Sequence, residues 1–393
     1  MQPTSVLATI TGRDRPGVTA AFFSALAAHD VDIRDVEQVV IRDRLILAVL
    51  FDLRGDAGAL RASMTHAAKA LGMECEIAMA DGPSLRAGRG TRSHVIVLGR
   101  PLRPGALSHV AQSIADVGDN IESVTQLSTE PASAIEMIVR TADPVALRAT
   151  LVEAADETGV DIAVEQAGLR RRAKRLVVLD VDSTLIRDEA IDVLAERAGV
   201  MDEVATITER AMAGELDFSE SLRSRVALLA GLTLADVEAV RDQLRLTPGA
   251  RTFVRTLRRL GYHVGVVSGG FSVLIDRFVG ELGLEFAAAN ELEIVDGVLT
   301  GAVLGPIIDR AGKAEALRRF ATDFGVPLSQ TVAVGDGAND IDMLEAAGLG
   351  IAFNAKAALR AAADASVNLP FLDSVLFVLG ISSDEIDEAG EGG

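Results

Sequence analysis

At 393 residues the chain exceeds one ordinary domain, and 38 Lys+Arg against 57 Asp+Glu leave a formal net charge of −19, which argues against holding nucleic acid or an anionic membrane by charge. Aromatic residues are 4%, with no Trp, so surface for stacking bases is scarce, while 49% apolar residues suffice for full cores. The single cysteine, Cys75, excludes an intrachain disulfide, the N-terminal stretch lacks a basic segment followed by a long apolar run, and no uncharged stretch is long enough to span a bilayer; a cytoplasmic location is expected.

The chain opens on a duplication. The stretch beginning at Leu7 repeats at Val95 at a constant offset: Arg15-Pro16-Gly17 falls on Arg103-Pro104-Gly105, Ile33 on Ile121, Val36 on Val124 and Gln38 on Gln126, with no gap. Each copy starts with an alternating strand (Val6, Ala8, Ile10; Val95, Val97) and a Pro-Gly turn in which glycine serves the turn. A helix follows, then two strands, a second helix and a short last strand. The order β-α-β-β-α-β is ferredoxin-like. Residues 1–82 and 94–168 are the two expected domains, with a Gly-rich linker at 83–93. The basic run at 169–175 reads as a solvated linker or helix face.

From 176 to about 380 the pattern alternates strand and helix, as in a Rossmann-like α/β domain with a parallel sheet, where ligands bind beyond the carboxyl ends of the strands. Those ends carry the chemistry. Leu176–Leu179 leads into Asp180-Val181-Asp182-Ser183-Thr184; Val264–Val267 into Ser268-Gly269-Gly270; Thr331–Val334 into Gly335-Asp336-Gly337 and Asn339-Asp340; between the last two, Lys313 opens a helix. Asp180, Asp182 and Asp336 offer hard oxygens that suit Mg²⁺. Ser268, the Gly269 amide, Lys313 and a helix N-terminus after Gly270 offer donors and positive charge to an anion. Each motif alone is compatible with a turn or a helix cap, and Ser183 and Thr184 are read as capping the next helix. In this order, together, they describe Mg²⁺-dependent phosphoryl transfer. An insert at 188–245 reads as a helical cap able to exclude water, with Leu222, Val226 and Leu229 inward and Arg225 bordering them. Arg223 borders the stripe on its other side, and periodicity favours Arg225 only weakly. The tail, 381–393, is acidic and Gly-rich and reads as disordered.

The four motifs in order resemble the haloacid-dehalogenase superfamily of aspartyl-phosphate enzymes. "DVDST", "VVSGGF", "NELEIVDGVLTG" and "VGDGANDIDML" resemble, within it, the phosphoserine phosphatases. The duplicated front half, with its "RDRPGV" turn and "VDIRDVEQV" strand, resembles the ACT domain, whose units pair and bind amino acids.

The resemblance implies hydrolysis of O-phospho-L-serine, the last step of serine biosynthesis. Asp180 is then the nucleophile, Asp182 the general acid and base with a raised pKa, and Mg²⁺ lies on Asp180, the Asp182 carbonyl and Asp336. Ser268, Gly269 and Lys313 hold the phosphoryl oxygens, Asn339 contacts substrate, and Asp340 orients Lys313 or a water. Arg225 takes the substrate carboxylate, Glu189 its ammonium, and Met212 and Phe218 cover the apolar side. It further implies a homodimer and regulation by an amino acid such as serine, with Asp14, Gly17 and Gly105 at the effector sites; Asp14 falls on Leu102, so the two sites differ. The same chemistry on another phosphomonoester, or transfer to an alcohol such as homoserine, stays open, as does a non-enzymatic amino-acid sensor.

Overall fold

The computed structural model of the chain describes residues 4–80, 90–168, 171, 173–212 and 215–391. It forms two compact units, Met1–Arg89 and Gly90–Gly393.

The first unit comprises β1 (Thr4–Arg13), α1 (Val18–Leu26), β2 (Val31–Ile41), β3 (Arg44–Leu53), α2 (Ala57–Ala70) and β4 (Glu74–Ala80). Its antiparallel sheet runs β2-β3-β1-β4, the expected ferredoxin-like pattern. Alternation along β1 buries Val6, Ala8 and Ile10 against Phe22, Leu60 and Met64 of the helices, while Leu7 on the other face is 37% exposed. Gly17 opens α1 at φ 94°, a conformation that favours glycine.

The second unit repeats the pattern with β5 (Thr91–Gly99), α3 (Pro104–Asp116), β6 (Asn120–Ser128), β7 (Ser133–Thr141), α4 (Pro144–Thr158) and β8 (Asp161–Gln166). Strand β5 takes in Thr91–Ser93, which the sequence assigned to the linker. Gly105 lies in the first turn of α3 behind Pro104 without a positive φ, so the turn does not demand glycine there; that expectation is corrected.

The copies diverge in burial. Val95, Ile96, Val97 and Leu98 are all buried, where alternation was expected. Val95 and Val97 pack with Val110 and Leu147 of the domain's own helices. Ile96 and Leu98, with Ala134 and Ala163, join the core of the domain that follows.

That domain begins with β9 (Leu176–Leu179), then a tight turn and the cap helices α5 (Ala190–Ala198), α6 (Met201–Met212), α7 (Phe218–Ala227) and α8 (Leu234–Gln243). Helices α7 and α8 open on capping boxes, Asp217 with Glu220 and Thr233 with Asp236. Next come α9 (Ala250–Arg259), β10 (His263–Phe271), α10 (Ser272–Leu282), the β11 (Phe286–Val295) and β12 (Val298–Leu304) hairpin, α11 (Arg310–Asp323), β13 (Thr331–Gly335), α12 (Ile341–Ala346), β14 (Gly350–Phe353), α13 (Ala357–Ala362), β15 (Ala365–Val367), α14 (Ser374–Val378) and α15 (Ser383–Glu391).

Strands β11-β10-β9-β13-β14-β15 are parallel, as expected for a Rossmann-like sheet. One face packs on Phe253 of α9 and Leu274 of α10; the other packs on Leu317 of α11 and Met343 of α12. An antiparallel bridge between Ala163 of β8 and Ala365 of β15 continues this sheet into the second ferredoxin-like domain, giving 11 strands in one sheet.

Three further readings are corrected. The tail forms α15, with Ile386 packed on the core and Ser382 capped by Glu385; its acidic face stays wet while one apolar residue anchors it. The basic linker is solvated only in part where it is described: Arg175 is exposed, but Lys174 is 2% exposed and donates to the carbonyls of Ser329 and Gly348, and Arg171 pairs with Glu165 and Glu136. Neither Ser183 nor Thr184 caps α5, since Asp182 accepts from the Ala190 amide instead, at 2.8 Å.

Candidate active site

Strand β9 lies between β10 and β13, in register with both, so the carboxyl ends of three buried neighbours deliver Asp180, Ser268 and Asp336 to one edge. The Asp180 amide is held by the Val334 carbonyl at 2.9 Å, which places its buried carboxylate just past the last rung of the sheet. The chain then turns sharply through Val181–Leu185, with Ser183 at φ 56°. This turn swings Asp182 back beside Asp180. Its Oδ1 accepts from Ala190 N and its Oδ2 lies 3.4 Å from Ser268 Oγ, which itself accepts from Gly270 N at 2.8 Å.

Lys313, on the first turn of α11, is fully buried. Its Nζ donates to Asp180 Oδ1 at 2.6 Å and to Asp340 Oδ1 at 2.7 Å. The other Asp340 oxygen accepts from Gly337 N at 3.0 Å. A Cβ on Gly335 would stand 2.4 Å from the Asp340 carboxyl carbon, so the glycine before Asp336 is a matter of room for that carboxylate. Asn339 sits half-buried in the same turn.

Carboxylate oxygens of Asp180, Asp336 and Asp340 lie within 4.8 Å of one another. Asp182 is not in this group, since its two oxygens turn to Ala190 and Ser268. Burial, then the Asp340 charge, holds the Asp180 carboxyl well above its ordinary value against the pull of Lys313. Burial, then Asp340 and Glu189, pushes Asp336 up to about 7. Burial, then Glu189, pushes Asp182 up to about 6. Burial would lower the Lys313 pKa, but the charges of Asp180 and Asp340 outweigh it and the net shift is upward. One ammonium among this many acids leaves an excess of negative charge and unspent hard oxygens. That donor set fits a divalent cation.

The cap closes over this edge. Phe218, at the start of α7, stands over the phosphate-type loop: a Cβ on Gly269 would meet its Cζ at 3.2 Å. Glu189 accepts from Ser183 Oγ at 2.8 Å. Arg225 is half-buried on α7 and feels the charges of Asp192 and Glu189, whereas Arg223 is exposed. The side chain of Met212 lies outside the described residues. Asp14 and Gly17 belong to the first unit, and Gly105 to the second ferredoxin-like domain; none joins the carboxylate cluster.

Two contributors went unrecognised in the sequence. Asn290, 1% exposed, donates to the Gly269 carbonyl and accepts from the Ile308 amide, both at 2.8 Å, and so pins the Ser-Gly-Gly loop. An amide closing the apolar run Phe286–Ala289 was the available signal. The β11–β12 hairpin holds the cap: the amides of Gly231 and Leu234 donate to the carbonyls of Leu299 and Gly297 at 2.9 Å. These are backbone bonds, and no residue type announces them.

Residues 177–345 match the haloacid dehalogenase-like hydrolases, and residues 4–78 and 92–165 match ACT domains. The chain is 55% identical to a phosphoserine phosphatase of Streptomyces coelicolor, over 98% of this chain and 94% of the relative. It is 54% identical to one of Mycobacterium tuberculosis, over 99% and 96%. A solved phospho-aspartyl intermediate analogue of phosphoserine phosphatase aligns with a TM-score of 0.50 at 45% identity, covering 52% of this chain and 98% of that one. Among the described residues no helix is long and apolar enough to cross a membrane.

Proposed function

The chain belongs to the phosphoserine phosphatases of the haloacid dehalogenase-like hydrolases, fronted by two ACT domains, and on that premise we propose that it hydrolyses O-phospho-L-serine to L-serine and phosphate in the cytoplasm, as the last step of serine biosynthesis. The observation that carries the reading is the Lys313 ammonium bridging buried Asp180 and Asp340 beside Asp336.

Asp180 is the nucleophile. A carboxylate attacks phosphorus while ionised; the Lys313 ammonium at 2.6 Å favours that form and opposes the burial that raises the Asp180 pKa. Asp180, Asp336 and the Asp182 carbonyl would hold Mg²⁺, which would supply Lewis-acid polarisation and offset the repulsion between carboxylate and phosphate. Asp182, whose pKa burial raises to about 6, protonates the serine oxygen as it leaves and then takes a proton from the water that cleaves the aspartyl-phosphate. Ser268 Oγ, the Gly269 amide and Lys313 bind phosphoryl oxygens, with Asn339 beside them. Arg225 forks onto the substrate carboxylate and Glu189 meets its ammonium, and Phe218 walls the apolar side. The decisive experiment is Asp180→Asn. Folded protein with no phosphate release from phosphoserine supports the reading, and substantial residual turnover removes Asp180 as nucleophile.

Regulation by an amino acid, with serine the first candidate, rests on the ACT domains. Both Gly17 and Gly105 have open space where a side chain would stand, as a ligand-approach point needs, and Asp14 accompanies Gly17 only in the first copy. Gly105→Val is the cleaner probe, since its backbone tolerates a side chain. Unchanged serine affinity in that variant removes Gly105 from the site. A homodimer is supported by β2, an edge strand on which Ile33, Val39 and Ile41 are 50%, 50% and 61% exposed.

A further inference from the structure

The seam between the second ACT domain and the catalytic domain is not closed. Its strand contact is the single bridge Ala163–Ala365. Two polar ties flank it. Arg148 of α4 reaches Asp364 at 2.9 Å and the Ala363 carbonyl, and Asp364 in turn accepts from Gly350 N at 2.9 Å. Asp161 at the start of β8 accepts from the Asn368 amide at 2.8 Å and from its Nδ2 at 2.6 Å. Beyond them Arg100 lies over the Phe371 ring, 4.9 Å from its centre. Beside these ties, along α4 and α13, is a cavity of about 660 Å³.

Its lining is divided in character. Leu98, Leu151, Val160, Ile162 and Leu369 make an alkyl floor. Charged groups ring it, and most are already used: Arg148 with Asp364, Asp161 with Asn368, Arg100 with Phe371. Arg360 of α13 is not. It has no hydrogen bond or ion pair through its guanidinium among the described residues and acts on Asp161 only through its charge. Arg360 is exposed at the rim of the cavity, so its guanidinium is free to meet an anion that enters over the alkyl floor. Asp156 of α4, exposed, also lines the cavity and has no ion pair or hydrogen bond through its carboxylate among the described residues.

The same helix touches the active site. Helix α13 is about 9 Å long at the ordinary rise per residue. Arg360 and Ala361 line the cavity near one end; at the other, the amide of its cap residue Lys356 donates to the Asp336 carbonyl at 3.4 Å.

We propose that this cavity binds a small carboxylate carried on an apolar body, an aliphatic or aromatic amino acid or its 2-oxo acid, with the carboxylate on Arg360 and the body on the alkyl floor, and that its occupancy is felt through α13 at the Asp336 loop. None of its lining residues belongs to the Pro-Gly turns at 15–17 and 103–105. Binding stands independently of the phosphatase reading; the coupling to Asp336 rests on it.

The test titrates the full-length protein by calorimetry with L-phenylalanine and, separately, phenylpyruvate, and repeats both on Arg360→Gln and on Ala155→Trp, which fills the cavity from α4. The expected result is one saturable site per chain, about tenfold weaker in Arg360→Gln, the scale of one charge-assisted contact, and lost in Ala155→Trp. Phenylpyruvate binding as well as phenylalanine means that Asp156 plays no part; phenylalanine binding alone assigns it the ammonium. Both results support the site. Should Ala155→Trp not fold, Arg360→Gln alone decides. No saturable heat with either probe at millimolar concentration, or equal affinity in Arg360→Gln, overturns the proposal. Turnover of phosphoserine is measured with and without saturating probe: a changed kcat in wild type, absent in Arg360→Gln, supports the coupling, and an unchanged kcat despite binding overturns it. Wild type that binds the probe yet releases no phosphate would refute the phosphatase reading and leave the site standing.

Discussion

Lys313 Nζ stands 2.6 Å from Asp180 Oδ1 and 2.7 Å from Asp340 Oδ1, with all three side chains buried. Removing the ammonium leaves two buried carboxylates without their counter-ion. Lys313→Met is expected to lose phosphatase activity. It should also destabilise the metal-free protein by about 3–5 kcal/mol, the cost of breaking a buried pair from one side. Urea unfolding in the presence of a chelator measures it; a loss below about 1 kcal/mol would mean that the carboxylates simply take up protons.

The same crowd of acids sets a pH dependence. Asp336 is raised from 3.8 to about 7, so between those values the folded metal-free chain holds protons that the unfolded chain has released. This group's contribution to stability therefore falls as pH rises through that window. A cation displaces the protons, so the rise in Tm on adding Mg²⁺ should be larger at about pH 8 than at about pH 6. Equal shifts at both would show that Asp336 is already ionised in the metal-free protein.

Arg225 and Arg223 neighbour each other on α7, and only Arg225 is half-buried toward Glu189 and Asp192. Arg225→Lys keeps the charge and loses the fork. It should raise KM for phosphoserine by about tenfold or more while scarcely changing KM for p-nitrophenyl phosphate, which has no carboxylate. Arg223→Ala should behave as wild type toward both. A parallel rise for the two substrates would assign Arg225 to cap packing instead.

Asn290, buried, holds the Gly269 carbonyl and the Ile308 amide. Asn290→Ala should cost about 1–3 kcal/mol by leaving both groups unsatisfied, and Asn290→Asp should fail to repair the Gly269 contact, since a carboxylate cannot donate. Both should lower kcat through a loosened phosphate loop. Thermal melts and steady-state rates together read this out; an intact kcat in Asn290→Ala would confine the residue to stability.

The edge strand β2 carries Val39 and Ile41 in the open. Val39→Lys with Ile41→Lys should shift the protein toward monomer in light scattering, since added lysine blocks edge pairing. A mass unchanged from wild type would place any dimer contact elsewhere.

Sequence alone was enough to gather the candidate site because its residues sit where local rules hold. A buried parallel strand must end at the sheet edge, so Asp180, Ser268 and Asp336 could be assigned to one place from their position after apolar runs. The duplication and its βαββαβ order were legible for the same reason: periodicity and turn residues are local. The two ACT copies even carry their difference in plain view. "LATITG" alternates, whereas "VIVLG" is apolar throughout, the mark of a strand covered on both faces. Its meaning depended on the partner. Only the fold shows that Ile96 and Leu98 complete the catalytic core, that Lys174 is buried under two carbonyls, and that the acidic tail is a helix anchored by Ile386. Those facts rest on contacts between residues far apart in the chain, which no local pattern encodes. The role of Asp340 is of the same kind. From the string alone it is one more acid after Asn339, and only the resemblance set it beside Lys313 or a water; in space it shares that ammonium with Asp180, and the glycine at 335 exists to let it in.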